Sequence, residues 1–415
     1  MGSNLRRGSE TINSSSAPVR TDPSPCSDSS DTVTFHWCNT INDIPGKEWD
    51  TCFDTSRFAR TYNYQRAVES SSPAGVRFQY LVAWEAGSIR AIVGCFRYKI
   101  PLSTTATGAA RKVMSFIERF LPGIFSINGF FVGQLTAVCD HLYGLEQISA
   151  HDRSEFLAQC EPSIRQRALE LRSSVILHKE IPGEDLAFVS EALGDDYVIA
   201  PSLPAMELKL ESTTPFSQQL RKKYRNHYRR RQKQADQRGL TWDVHRGSLS
   251  ATLAGEMERL YFQVLDRSGT QFERLSSCYF SSLMEHCPGA CIVLCRDGDH
   301  LVGFMVNVAS EEAFHGLYLG YDVSYREAAV YFNLIYRSLD VALEQGHQFI
   351  HLGQTSYEIK SALGAKRSDL HLALRARNPV VHGMITCFSK HLFPEIDVPV
   401  RRAFARTVAG RSVSS

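Results

Sequence analysis

A dense run of basic residues near the middle of the chain could bind phosphate groups. Residues 218–238 read QQLRKKYRNHYRRRQKQADQR and contain nine Lys or Arg residues and a single acid, Asp236. Because neither Pro nor Gly occurs between Phe216 and Gly239, we predict a helix here, with Ser217 as its N-cap. Side chains of this charge and density bind the phosphates of a cofactor or the backbone of a nucleic acid. The alternative is a solvated helix whose arginines pair with nearby acids.

The total charge of the chain conceals this concentration. The 415 residues include 46 Lys or Arg and 44 Asp or Glu, for a net charge of +2. Since the basic run alone contributes +8, the rest of the chain carries −6. Hydrophobic residues at 43% and charged residues at 22% exclude a collagen, a mainly disordered chain and a disulfide miniprotein.

A second candidate site joins a predicted strand to a predicted helix. Residues 314–333 read FHGLYLGYDVSYREAAVYFN, in which Phe314–Leu319 alternates like a strand and a helix begins at about Ser324. Ser324 and Glu327 have the spacing of a capping box. Free backbone N–H groups at such a helix start can bind an anion or polarise a carbonyl. The alternative is a plain βα unit whose aromatic side chains pack in the core.

A third candidate is a tyrosine and a lysine in residues 353–366, GQTSYEIKSALGAK. Tyr357 and Lys360 are three residues apart, so they share a face of the helix predicted here, which Thr355 or Ser356 could cap. A lysine beside a sheet edge can move a proton, anchor a phosphate or remain a surface charge. From these residues alone, a surface charge is the favoured interpretation.

The eleven cysteines predict neither a disulfide framework nor a metal site. The Ser/Pro-rich residues 1–32 contain no apolar core of an export signal, so we interpret the cysteines as reduced thiols of a cytoplasmic protein. Cys287, Cys291 and Cys295 have a metal-like spacing. However, Cys291 and Cys295 lie on one face of a predicted strand, which favours burial as small hydrophobic side chains.

Two apolar stretches could contact a membrane. Phe120–Cys139 has no charged residue over twenty positions, but its Pro and Gly residues favour a buried loop and strand over a membrane span. Residues 109–121 predict an amphipathic helix, for which core packing is the default role. A lid over an acyl-binding groove, or contact with a membrane surface, is the alternative.

The order of predicted elements occurs twice along the chain. A hairpin at Phe78–Tyr98, followed by a strand, a helix and a strand, is matched by a hairpin at Ala290–Val308 and the same succession, which ends in a strand at Leu370–Arg375. We therefore predict two copies of one α/β unit. The predicted divisions are a disordered segment at 1–32, a first unit at 33–210, a second unit at 211–395 and a basic tail at 396–415.

Taken together, these segments resemble an acyltransferase family of the GNAT superfamily. This family is the acetyltransferase domain of bacterial biosynthetic proteins, and it is related to the Fem-type aminoacyltransferases. The resemblance rests on the Arg-rich helix Leu220–Gly239, the hairpin Cys291–Val308, the strand and helix in Phe314–Asn333, and Tyr357–Gly364. The first hairpin and the HKEIP sequence at His178–Pro182 match more loosely. The resemblance implies an α/β (α+β) fold of two tandem GNAT-like units, with mixed central sheets flanked by helices.

The resemblance also implies an activity, the transfer of an acyl group to an amine acceptor. Acyl-CoA is the implied donor, as a co-substrate and not as a bound cofactor, and no metal is implied. The donor carbonyl would lie at the strand end Leu319–Asp322, with Asp322 as the candidate base and Tyr321, Tyr357 and Lys360 beside it. The residues implied to bind the donor phosphates are Arg221, Arg225, Arg229, Ser324, Arg326 and Asn333.

One departure from the family pattern leaves the donor open. Acetyl-CoA users of the superfamily carry an Arg/Gln-x-x-Gly-x-Gly/Ala phosphate loop, where this chain has SYREAA without a glycine. Either the Arg-rich helix compensates, or the donor is an aminoacyl-tRNA, as in the Fem-type relatives. A third hypothesis is a non-catalytic adaptor on a degenerate transferase fold, which binds nucleic acid or a membrane surface without inserting into it.

Overall fold

Two mixed β-sheets, each flanked by helices, form this computed structural model, which describes residues 33–72, 75–101, 126–211, 214–267 and 274–405. The predicted disordered segment 1–32, the predicted helix 109–121 and the end of the basic tail lie outside the described residues. The strands in chain order are β1 (Thr34–Cys38), β2 (Arg77–Glu85), β3 (Ser88–Pro101), β4 (Ser126–Val132), β5 (Tyr143–Gly144), β6 (Val175–Pro182), β7 (Val198–Pro201), β8 (Ala205–Lys209), β9 (Thr241–His245), β10 (Ala290–Asp297), β11 (His300–Ala309), β12 (Phe314–Tyr321), β13 (Phe349–His351), β14 (Lys366–Ser368) and β15 (Leu370–Ala376).

Helices cover both sheets. The α-helices are Gly46–Cys52, Tyr62–Ser70, Arg153–Glu170, Leu186–Leu193, Phe216–Gln219, Lys222–Gln237, Ala251–Leu265, Ser277–His286, Val330–Glu344, Tyr357–Leu363 and Pro379–Leu392. Short 3₁₀ turns occur at Ile41–Asp43, Phe58–Arg60, Gly194–Asp196 and Val323–Ala328.

Both predicted hairpins are present. β2 pairs antiparallel with β3, and β10 with β11. Nearly every residue of β10 and β11 is buried, which is the pattern expected of strands that are covered on both faces. Cys291 and Cys295 of β10 are among these buried residues, as predicted.

The two sheets exchange strands across the predicted boundary at residue 210. The first sheet has the order β1-β2-β3-β4-β6-β15-β7, with β5 beside β3, and the second has the order β14-β8-β13-β12-β11-β10-β9. The strand at Leu370–Ala376, which the sequence placed in the second unit, therefore pairs with β6 and β7 in the first sheet. Conversely, β8 precedes residue 210 but pairs with β13 and β14. The boundary itself stays a prediction, but the sheets do not separate there.

One hydrophobic cluster joins the two sheets. It includes Trp49 and Tyr64 near the first sheet and Phe280 and Phe304 of the second, all fully buried. Burying a large aromatic side chain stabilises a fold by roughly 1.5–3 kcal/mol. The two halves are therefore held together by the same kind of packing that stabilises a single core.

The basic run forms two helices instead of the single predicted one. A short helix, Phe216–Gln219, ends at Leu220, whose backbone is extended and forms a β-bridge with Phe404. The basic helix, Lys222–Gln237, then begins after Arg221. Ser217 lies inside the short helix, so its predicted role as N-cap is wrong. The break occurs because the backbone N–H of Arg221 donates to the carbonyl oxygen of Ala403, and that of Ala405 donates to Gln219. The local sequence does not reveal these long-range contacts.

The described part of Phe120–Cys139 is a strand and a loop, as predicted: β4 ends at Val132, and a loop comes after it. Among the helices that the structure describes, none has both the length and the apolar character needed to cross a lipid bilayer.

Candidate functional site

The parallel strands β12 and β13 separate shortly after they meet. They pair only at Phe314 with Ile350 and at His315 with His351, after which β12 continues along β11 to Tyr321. A register shift beside Asn307 leaves Leu317 without an opposite residue in β11. Beyond His315, the described residues contain no strand that pairs with β12 on its β13 side.

A cleft of about 250 Å³ occupies the space between the separated strands. One wall is β12 from His315 to Leu319, and another is the chain after β13 from His351 to Ser356. Residues from the first half of the chain also line it: Ala137, Val138, Cys139 and Leu203. The cleft is therefore built by both halves of the molecule, and its volume is near the lower end of ligand cavities, about 300 Å³.

Lys360 brings a titratable amine to this cleft. Its side chain, on the helix Tyr357–Leu363, is only 7% exposed, and its Nζ donates a hydrogen bond to the carbonyl oxygen of Gln354. Burial lowers the pKa of Lys360 to about 7, against a smaller opposing effect of Cys139. The surface-charge interpretation of Lys360 is therefore wrong. An amine with such a pKa can accept or donate a proton near neutral pH.

Two stacked histidines lie where the strands part. The rings of His315 and His351 are parallel, with centroids 4.7 Å apart, and both line the cleft. Burial lowers the pKa of both. The pKa of His315 lies well below its usual value, chiefly because of burial and further because His351 is adjacent. At neutral pH these side chains therefore act as uncharged hydrogen-bonding groups.

The tyrosines predicted at the site have different environments. Tyr357 donates a hydrogen bond to the carbonyl oxygen of Pro204 at 3.2 Å. Tyr321 packs against the ring of Tyr331 with centroids 6.0 Å apart. Of these three, only Tyr331 is a lining residue of the cleft, and the sequence analysis assigned it no role. Tyr321 and Tyr357 do not line the cleft.

Asp322 serves as a helix cap and does not line the cleft. Its carboxylate accepts hydrogen bonds from the backbone N–H and the hydroxyl of Ser324, at 3.0 and 2.7 Å. Although partial burial raises the pKa of Asp322, these bonds and the charge of Arg259 outweigh burial and lower it. The cap of this turn is thus Asp322, so the capping box predicted at Ser324 is wrong. The predicted helix begins instead at Val330, after Ala329 in a left-handed conformation.

A sequence comparison identifies the part of the chain that contains the cleft. Residues 222–361 match the family model of the acetyltransferase (GNAT) domain. This segment is a GNAT domain. No curated protein matches the chain by sequence.

A similarity in fold to solved structures covers most of the chain. FemX superposes with a TM-score of 0.50 at 10% identity, over 83% of this chain and 98% of its own. A tandem GNAT protein from the clavulanic acid biosynthesis pathway gives 0.47 at 12% identity, over 84% and 99%. L-PGS from Bacillus licheniformis also gives 0.47 at 12%, over 80% and 96%. The chain has the tandem GNAT-like fold that the sequence predicted, and this fold is similar to that of FemX.

Several residues predicted to bind donor phosphates have structural contacts in the GNAT domain. Arg221 Nε donates to the carbonyl oxygen of Phe404, and Arg225 donates to that of Leu220. The buried Asn333 donates to the carbonyl oxygens of Arg231 and Ala329, which fixes the basic helix on Val330–Glu344. These contacts hold the C-terminal segment and the two helices in place.

The remaining predicted phosphate ligands are exposed. Arg229 projects from the basic helix, and Ser324 and Arg326 from the turn before Val330. Within the described part of the chain, five exposed cations of the basic helix form no ion pair with an acid: Lys222, Lys223, Arg229, Arg230 and Lys233. The GNAT domain thus presents a positively charged helix face whose charges are not neutralised by described neighbours.

Proposed function

We propose that the protein is an N-acyltransferase that moves an acyl group from an activated donor to an amine in the cleft between β12 and β13. The observation that carries this proposal is the burial of Lys360, with a pKa of about 7, in the cleft that residues 315–319 of β12 also line. The match of residues 222–361 to a GNAT domain supports the same reaction class.

The cleft supplies the groups that an acyl transfer needs. The acceptor amine attacks the carbonyl carbon of the donor, and negative charge develops on the carbonyl oxygen beside the backbone of β12. Neutral Lys360 accepts the proton that the attacking amine loses. When the intermediate collapses, the leaving group departs and takes up that proton, so that Lys360 returns to its neutral form.

We propose acyl-CoA as the donor. The turn Val323–Ala328 would face its phosphates in the family arrangement, but here Asp322 already accepts the N–H of Ser324, and a carboxylate at this position repels a phosphate. The exposed Arg326 and the basic helix are the available cations for the phosphates. CoA would therefore be bound through side chains more than through a glycine-lined backbone loop.

Release of free thiol tests this proposal. We expect incubation with acyl-CoAs of several chain lengths and amine acceptors to release CoA thiol, with the acylated amine detected by mass spectrometry. Lys360→Met should abolish most of this release, while Lys366→Met, a change at an exposed lysine of β14 in the same sheet, should leave it intact. Equal rates for the two variants would remove Lys360 from the mechanism, and absence of thiol release with every acyl-CoA would remove CoA as the donor.

An aminoacyl-tRNA is the second candidate donor, and the uncompensated cations of the basic helix favour it. A protein that neutralises several phosphates binds nucleic acid more weakly as salt rises, with a slope set by the number of contacts. We expect tRNA binding, if tRNA is the donor, to weaken in Lys222→Gln/Arg229→Gln and to show a shallower salt slope. If the wild type does not bind tRNA, or if the variant binds it as tightly as the wild type does, tRNA is excluded as the donor.

A further inference from the structure

The helix Pro379–Leu392 carries an exposed row of apolar side chains along its whole length. Four side chains spaced four residues apart are between 52% and 69% exposed: Val380, Met384, Phe388 and Leu392. Residues four apart are neighbours on a helix surface, so these side chains form one continuous row, the apolar stripe. The helix has 14 residues and is therefore about 21 Å long.

The side chains that face the rest of the protein are on average more polar than the apolar stripe. His382, Ile385 and Ser389 are half-buried, and none of the residues of this described helix is fully buried. Nδ1 of His382 accepts the backbone N–H of Ala376 at 3.3 Å, which fixes the helix at the end of β15. A surface helix usually packs its apolar face against the core, whereas a large exposed apolar surface is typical of an interaction site.

The chain around the apolar stripe is positively charged. Residues 370–394 contain three Lys or Arg residues and neither Asp nor Glu. The exposed Arg377 precedes the helix and the exposed Lys390 lies in its last turn, so there is a cation near each end of the stripe. In the part of the chain that the structure describes, neither of them forms an ion pair with an acid. This charge is complementary to a surface of anionic headgroups.

The size of the apolar stripe argues against a second copy of the chain as its partner. A helix is about 10 Å wide, so one face of this helix offers roughly 300 Å². Each partner in a stable protein complex buries about 800 Å². A lipid surface has no such requirement, because it accepts the apolar face of a single helix to a depth of about 5–10 Å.

We propose that the helix Pro379–Leu392 docks the protein on the surface of an anionic lipid bilayer. The apolar stripe enters the boundary between headgroups and acyl chains, and headgroup phosphates pair with Arg377 and Lys390. The helix lies outside residues 222–361 and does not line the cleft, so this proposal does not depend on acyl transfer.

Sedimentation with lipid vesicles tests the proposal on the full chain. We expect saturable binding to mixed vesicles of phosphatidylserine and phosphatidylcholine, and binding weaker by about tenfold or more to vesicles of phosphatidylcholine alone. Met384→Glu/Phe388→Glu should weaken binding to the anionic vesicles by about tenfold or more, because it places two charges in the apolar stripe. The control Val244→Glu/Val400→Glu adds the same charge at exposed apolar residues elsewhere and should leave binding within about twofold of the wild type.

Hydroxyl-radical footprinting of the wild type gives a second measurement that needs no substitution. Met384 and Phe388 should be oxidised in the absence of lipid and protected on anionic vesicles. Phe349, an exposed phenylalanine of β13, should be oxidised equally in both samples.

Four results would overturn the proposal. The wild type may fail to bind anionic vesicles, or bind neutral vesicles as tightly. Met384→Glu/Phe388→Glu may bind like the wild type, which would assign vesicle binding to other cations such as those of the basic helix. The control may weaken binding as much as the stripe variant. Protection of Met384 and Phe388 without lipid would mean that a second copy or another part of the chain covers the stripe.

Discussion

Each sheet contains one parallel pair of neighbouring strands that ends at a histidine, and the two pairs differ in the path of the chain beyond that histidine. In the first sheet, β4 and β6 pair over four positions, from Gly129 with Val175 to Val132 with His178. In the second sheet, β12 and β13 pair over two positions, and the second of these joins His315 to His351. The first pair stays together up to the end of β4 at Val132, whereas the strands of the second pair separate, and the cleft lies between them.

The residue two positions after the last paired histidine shows the difference most clearly. In the first sheet it is Glu180, with φ of 56°, and its carboxylate accepts the backbone N–H of Cys139 at 2.7 Å. In the second sheet it is Gly353, with φ of 66°, which lines the cleft. Both residues thus have a left-handed backbone, but Glu180 has a side chain that holds a loop, whereas Gly353 has none and leaves space in the cleft. The anchored loop, Ala137–Cys139, is the one that covers the cleft of the second sheet.

The largest expected effect is loss of the buried ion pair that holds this loop. Asp140 receives two hydrogen bonds from Arg60, at 2.7 and 2.8 Å, and both side chains are almost fully buried. Asp140→Asn removes the hydrogen-bonded counter-charge of Arg60, whose remaining ion pair is the longer one with Glu146 at 3.8 Å. We therefore expect the free energy of unfolding to fall by about 3–5 kcal/mol in urea titrations.

The matched control for Asp140→Asn is an exposed pair. Glu358 accepts a hydrogen bond from Arg401 at 2.8 Å with 77% of its side chain exposed. Glu358→Gln should change the free energy of unfolding by less than about 1 kcal/mol. If the two substitutions cost the same, the loop is not held by the buried pair, and the contrast between the anchored and the open strand end loses its physical basis.

The next largest effect is expected on acyl transfer, at Lys360 in the cleft between β12 and β13. Lys360→Met removes the proton acceptor that we propose, so kcat/KM for acyl transfer should fall by about 100-fold or more, equivalent to about 2.7 kcal/mol. In the wild type, kcat/KM should rise with pH through about 7, as Lys360 loses its proton. A wild-type profile without a transition near 7 would contradict this assignment.

Lys360→Met should also change how the free energy of unfolding depends on pH. The folded pKa of Lys360, about 7, is below the unfolded value of about 10.4. Between these two pH values the unfolded chain binds more protons than the folded one, so wild-type stability should rise with pH, by up to about 1.4 kcal/mol per pH unit. Lys360→Met lacks this rise. Urea titrations of both proteins between pH 7 and about 10 measure the difference.

The sequence predicts the strands better than it predicts the site. β10 and β11 are predicted from an apolar run, a turn and a second apolar run, which are local patterns. Lys360 is buried in a cleft that Cys139 and Leu203, which are distant in sequence, also line. The residues around Lys360 therefore predicted a surface charge instead. Tyr331 and Cys139 were missed as cleft residues for the same reason.

Two other predictions were wrong: the sheet that β15 joins, which depends on a long-range contact, and the capping residue, for which two neighbouring residues are equally suited. β15 joins the first sheet because it fills the place between β6 and β7, and no pattern within Leu370–Ala376 specifies that partner. Asp322 and Ser324 are both good capping residues, and the sequence does not distinguish them. The tandem GNAT-like fold was nevertheless predicted, because it depends on the order of the elements and on the motifs within them.

The smallest expected effect is at Gly353. An L-residue in the left-handed region costs about 1–2 kcal/mol, and a Cβ at this position would be 4.0 Å from the nearest atom, the Gly316 carbonyl oxygen. Gly353→Ala should therefore destabilise the protein by about 1 kcal/mol through backbone conformation alone. Gly183→Ala is the control, since Gly183 has no left-handed φ and a Cβ there would be 3.8 Å from Asp369. Equal stability of the two variants in thermal unfolding would mean that Gly353 can relax its backbone, so that glycine is not what keeps the second strand end open.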